Sequence, residues 1–170
     1  MIRLTTTIPR EAREWRNDPR IMSWCRQNEI ISEWEQEEWE KRIRTDRTIK
    51  MFGIEGSPDK TGFSLWTPIG VTGLTSISQS HRTAEFSLYI APSFQRKGFA
   101  REALKALLDY AFINLGLECV WGESFVGNPA LHLFREIGFK EEGVHRSRYY
   151  KNGERIDAAS ISLLRGDWKI

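Results

Sequence analysis

The chain has 170 residues, 40% of them hydrophobic and 28% charged, with a formal net charge of +2. That length suits one domain able to bury about 70% of its unfolded surface, and the composition is ordinary for a soluble globular protein. The balanced charge and the lack of a Lys/Arg-rich run argue against nucleic acid, no apolar window can span a membrane, and Cys25 and Cys119 lie too far apart for a paired-cysteine motif, which suits a reducing cytoplasm.

In chain order, Ile2 to Ile8 reads as a first strand closed by Pro9. Residues 10–28 read as a short helix and a loop, broken at Asp18-Pro19. Ser32 with Glu35 three residues on is a capping-box signature for a helix through about Arg44. Its acids come first (Glu33, Glu35, Glu37, Glu38, Glu40) and its bases last (Lys41, Arg42, Arg44), the order that complements the helix dipole. This reading is preferred to an acidic surface for a polycation, because charge runs are usually solvated faces. Trp15, Trp24, Trp34 and Trp39 read mostly as packing anchors, with one or two available to wall an acceptor pocket. Ile49 to Ile54 and Gly70 to Ser78 read as strands around a glycine-rich excursion, with Phe63 to Trp66 joining or approaching the second. His81 falls in a turn and receives no role.

The run Ala84 to Leu115 is the most informative. Phe86, Leu88 and Ile90 alternate with Glu85, Ser87 and Tyr89, so this is a strand, ended by Ala91-Pro92. Ala100, Ala103, Leu104, Leu107, Leu108, Ala111 and Leu115 then form one apolar stripe of a helix, stopped at Gly116. Arg96, Lys97, Arg101 and Lys105 crowd the start of that helix, where the dipole already places about half a positive charge. Cations there are unfavourable unless an anion is brought in, and a glycine turn with free N–H groups is a ready phosphate site. The spacing Gln95-x-x-Gly98-x-Ala100 is neither a P-loop nor a dinucleotide fingerprint.

After the long helix, Glu118 to Phe125 reads as a strand. Asn128-Pro129 then opens a helix whose buried face is Ala130, Phe134 and Ile137, closed by Gly138; His132 points away from it. Phe139 to Arg148 and Arg155 to Leu164 are the last strands, joined through Asn152-Gly153, the pair of a primed hairpin turn.

The segment Gln95 to Arg101 resembles motif A of the Gcn5-related N-acetyltransferases (GNAT). His81 to Phe86 and Ile90 to Pro92 are most similar to the spermidine N-acetyltransferases, with the ribosomal-protein N-terminal acetyltransferases close behind. The likeness covers roughly Val71 to the C-terminus, and weakly Trp15 to Pro19. It implies an α/β (α+β) fold with a mixed, mostly antiparallel central sheet flanked by helices, in the order β-α-α-β-β-β-α-β-α-β-β. Residues 1–170 would form one acetyltransferase domain, with acceptor-side helices in 1–47 and an acetyl-coenzyme A-binding core in 70–165. The implied activity is acetyl transfer from acetyl-coenzyme A, with no metal, to a primary amine on a polyamine-like small molecule, an amino sugar or a protein N-terminus. The acceptor is thus a small molecule or peptide, with neither nucleic acid nor membrane as partner, and a homodimer is allowed.

By the same resemblance, Gln95, Arg96, Lys97, Gly98, Phe99, Ala100 and Arg101 would hold the pyrophosphate. The backbone of Leu88, Tyr89 and Ile90 would line the pantetheine arm and supply an oxyanion N–H, and Asn128 and Phe134 would complete the cofactor wall. Glu85 is the candidate base, against the alternative of a solvent-facing strand residue; amines with pKa near 10 need such a base more than an α-amine near 7.7–8.0. The family pattern places a tyrosine at Phe134 to protonate the leaving thiolate. Phenylalanine has no such proton, so Tyr149, Tyr150, Ser124 or water would have to serve. A non-catalytic acyl-coenzyme A-binding module is the alternative reading, and a nucleic-acid binder using residues 96–105 is disfavoured by the net charge.

Overall fold

The computed structural model describes residues 1–169. Its centre is one seven-stranded sheet in the order β1-β2-β3-β4-β5-β7-β6. The strands are β1 (Ile2–Thr5), β2 (Lys50–Gly56), β3 (Thr67–Ser78), β4 (Thr83–Ile90), β5 (Cys119–Phe125), β6 (Lys140–Lys151) and β7 (Glu154–Leu164). Every neighbouring pair is antiparallel except β4 and β5. The helices are α1 (Ala12–Asn17), α2 (Pro19–Met22), α3 (Glu33–Thr45), α4 (Pro58–Thr61), α5 (Phe99–Asp109) and α6 (Ala130–Ile137).

Seven strands and the mixed sheet agree with the expected class; the helices are more numerous. The segment 10–28 holds two short helices, because the Asp18 carboxylate accepts from the Arg20 N–H and starts α2 at Pro19. Residues 58–61, expected as loop, make one helical turn. β1 ends at Thr5 rather than Ile8. A Cβ at Gly53, the last partner of β1, would lie 2.3 Å from Thr7 O and 3.1 Å from Pro9, so the chain crosses over this glycine instead of pairing further. Phe63 to Trp66 joins no strand; Phe63 and Leu65 are exposed, and Trp66 lies under the Arg3 guanidinium. The long helix passes into a π turn at Tyr110–Asn114, where Leu115 N–H reaches Tyr110 O, before Gly116 stops it with φ 63°.

The core lies on the α5/α6 face of the sheet. Leu104, Leu107, Leu108 and Ala111 are fully buried against strand residues such as Leu74, Ala84, Val120 and Leu163, and Ala103 against Ile54, Ile69 and Ile90. α3 differs: its capping box is formed on both sides, Ser32 Oγ to Glu35 N–H and Glu35 carboxylate to Ser32 N–H, yet none of its residues is buried. Of the four tryptophans, Trp34 is 68% exposed, Trp15 and Trp39 are half-buried, and Trp24, 43% exposed, lines a cleft, as expected for one or two of them. Capping, rather than an apolar face, specifies α3.

Candidate active site

The site begins where β4 and β5 part. These parallel strands pair only at Thr83 with Cys119, Ala84 with Val120 and Glu85 with Trp121. Past Glu85, the β5-facing edge of β4 has no strand partner in register. Phe86 is the wedge: a Cβ at Gly122 would meet its ring at 2.7 Å, so only glycine lets the ring lie across β5. The ring is held from behind by Phe134 (centroids 5.1 Å, edge-on) and Phe139 (5.0 Å). The open edge of Ser87–Ile90 suits an extended chain with amide groups, because it offers unpaired backbone donors and acceptors.

A cleft of about 690 Å³ runs along this opening. One end is the turn between β4 and α5. Arg96 (φ 63°) and Gly98 (φ 82°) both adopt left-handed backbone, which turns successive N–H groups inward ahead of α5. A Cβ at Gly98 would meet no protein atom within 4 Å, so the positive φ and the space in front of it, not packing, call for glycine. Gln95 Nε2 donates to Ile90 O at 3.0 Å and ties the turn to the strand. Phe99 is buried in the core, and Ala100 lines the cleft. Arg101 is bonded to Glu136 on α6, so part of its charge is already matched. Lys97 does not line the cleft; it leans over Phe94 at 5.4 Å. Arg96 lines it and has no carboxylate within ion-pair distance among the described residues. A helix N-terminus, an inward-turned N–H cradle and an unmatched arginine fit a pyrophosphate.

The other end is built from β4, β5 and the segment after α2. Glu85, Trp121 and Glu123 share one face of the sheet, by register and by the two-residue strand period. Glu85 is only 7% exposed, which corrects the solvent-facing alternative. Its Oε1 accepts from Arg26 Nη2 at 2.5 Å. Burial disfavours the Arg26 charge, but the Glu85 carboxylate and the Tyr149 hydroxyl outweigh this and hold the guanidinium above its ordinary pKa. Tyr149 O–H donates to Glu123, and His145 and Arg148 each stand 3.8 Å from the same carboxylate. Tyr150 is not brought to the cleft: it is 55% exposed and lies against Arg155. Ser124 is buried and lines the cleft. Tyr89 bonds to Ala12 O, and burial raises its pKa, so its proton is held away from the opening. Asn128 Oδ1 accepts from Ala130 N–H at 2.9 Å, so this side chain caps α6.

Acetyltransferase (GNAT) domain sequences match residues 5–146 of the chain. The chain belongs to the GNAT acetyltransferase family. It is an N-acetyltransferase, and acetyl-coenzyme A is the donor for this activity. Spermidine N(1)-acetyltransferase of Vibrio cholerae is 33% identical over 153 residues, covering 89% of this chain and 84% of that one. The crystal structure of spermidine N-acetyltransferase from Vibrio cholerae in complex with CoA and spermine aligns with a TM-score of 0.88 at 30% identity, covering 98% and 96% of the two chains. The putative ribosomal N-acetyltransferase YdaF of Bacillus subtilis is 38% identical over 101 residues, covering 59% and 55%.

Sequence reasoning missed Arg26, Glu123 and Lys151. Lys151 is 5% exposed, and its Nζ donates to Cys25 O (2.7 Å) and Gln27 O (2.6 Å), pinning the segment after α2 beside the cleft. A lysine before Asn-Gly reads as solvated, and nothing local signals otherwise. Among the described residues, no group of three His, Cys, Asp or Glu is placed to hold a metal, and no helix is long and apolar enough to cross a membrane.

Proposed function

We propose that the enzyme binds acetyl-coenzyme A along the open edge of β4 and acetylates a primary amine entering from the Glu85–Glu123 end. The parting of β4 and β5 directly in front of the Arg96–Gly98 turn carries this reading, because it joins an amide slot to an anion cradle in one cleft. When bound, acetyl-coenzyme A supplies the activated acetyl group. Arg96 and the N–H groups opening α5 would hold the pyrophosphate, and the backbone of Leu88–Ile90 would hold the pantetheine arm and face the acetyl oxygen. Glu85, once released from Arg26, would accept the amine proton. Ser124 is the cleft-lining hydroxyl nearest in the chain to Glu123, and would offer a proton to the departing sulfur in place of the missing tyrosine. Relatives named for spermidine place a polyamine among the acceptors to compare.

The test is thermal. Acetyl-coenzyme A should stabilise the native protein by RT ln(1 + [L]/Kd) and so raise Tm, and free coenzyme A should compete. Gly98→Val should abolish the shift, because its side chain would fill the cradle. A Gly98→Val protein with unchanged affinity would remove the basis for the cleft assignment.

A further inference from the structure

We propose that the acceptor amine arrives on a molecule carrying its own carboxylate, such as an acidic peptide α-amine or an amino acid, and that the cleft selects against polyamines. This rests on the acetyl-transfer reading above and narrows its acceptor. The observation is the state of the charges at the acceptor end. Arg16, Arg20 and Arg26 line it, against two carboxylates, Glu85 and Glu123.

Both carboxylates are already matched. Glu85 holds Arg26, and Glu123 holds the Tyr149 hydroxyl with Arg148 and His145 close by. Arg20 is taken by Asp18. At this end the cleft-lining charge left without a carboxylate is a cation, Arg16, whose Nε and Nη2 both rest on the Gln27 amide oxygen. A polyamine would bring several more positive charges into a site that is already positive, and like charges disfavour encounter and binding. An acceptor carboxylate reverses that sign.

It also solves the problem of the base. Glu85 cannot take a proton freely while its oxygen is held by Arg26 at 2.5 Å. A carboxylate on the acceptor competes with Glu85 for the same guanidinium, which is planar and suited to carboxylates. Transfer of Arg26 to the acceptor frees Glu85 to receive the proton as the amine nitrogen bonds to the acetyl carbon and the sulfur departs. An α-amine, with pKa about 7.7–8.0, asks less of that base than a polyamine nitrogen near 10.

The experiment measures free-thiol release from acetyl-coenzyme A by the whole protein. The acceptors are spermidine, a free amino acid, a short peptide with acidic residues after its α-amine, and the same peptide with lysines there. The acidic peptide or the amino acid should exceed spermidine and the lysine peptide in kcat/KM by at least about tenfold. The two carboxylate acceptors separate a peptide from a free amino acid as source. The ratio should shrink at high ionic strength, and Arg16→Gln/Arg26→Gln should shift preference towards spermidine. Spermidine as the best acceptor, a ratio insensitive to both salt and the double variant, or turnover of none of the four would overturn the proposal. Acetyl-coenzyme A that fails to raise Tm would instead overturn the cofactor reading beneath it.

Discussion

Phe134 stands where the family resemblance expects a tyrosine, although Asn128 and Ala130 lie one residue closer together than in the family pattern. Its ring lines the cleft, is 8% exposed and packs edge-on against Phe86. Packing accounts for the ring, which carries no hydroxyl to protonate a thiolate. Phe134→Tyr should leave Tm unchanged and raise kcat if departure of the thiolate limits the rate, by no more than about 10²–10⁴-fold. A lowered Tm with unchanged kcat would mean that the hydroxyl had entered the aromatic cluster, where it has no partner. The substitution was legible in the sequence because the helix around it is short and strongly patterned. The partners of Glu85 were not. Arg26 lies 59 positions away on the segment after α2, and only the tertiary fold brings the two together.

Elements with strong local signals were legible and those defined by contact were not. The Ser32–Glu35 box, the Asn152-Gly153 turn and the stripe of α5 each depend on residues a few positions apart, and each stands in the fold. The crossing over Gly53 and the wedge of Phe86 on Gly122 depend on which strand lies beside which. α3 sits between these cases: well capped, but with no buried side chain. Its amides should therefore exchange with solvent well before those of α5, whose apolar face is fully buried, and native-state hydrogen exchange would show this order. Neutralising Glu35, Glu37 and Glu38 together should lower the protection of α3 but leave kcat on a small monoamine nearly intact, since none of the three lines the cleft. A large loss of turnover with the fold preserved would give the acidic helix a catalytic part that its position does not suggest.

At the scale of the whole molecule, Lys151 joins the final hairpin to the N-terminal segment that closes the acceptor end. Its ammonium, almost fully buried at the end of β6, bonds to two carbonyls beyond α2. Asn28 Nδ2 adds a third tie to Tyr150 O nearby. Lys151→Met would keep much of the volume but leave Cys25 O and Gln27 O without these donors, at about 1–3 kcal/mol for a buried unsatisfied group. Because the segment carries Arg26, the KM for the acceptor should rise while the Kd for acetyl-coenzyme A stays the same. Equal changes in both would mean general destabilisation rather than loss of this tie. The pH dependence gives an independent check. Burial lowers the Lys151 pKa below its ordinary 10.5, so the unfolded chain binds this proton more tightly than the native protein. The resulting penalty is fully present at neutral pH, below the folded pKa, and is relieved as pH rises from that value to 10.5. Wild-type stability measured against Lys151→Met by denaturant unfolding should accordingly grow with pH across that interval. A difference that shrinks instead would mean that the native ammonium is better solvated than its two carbonyl bonds imply.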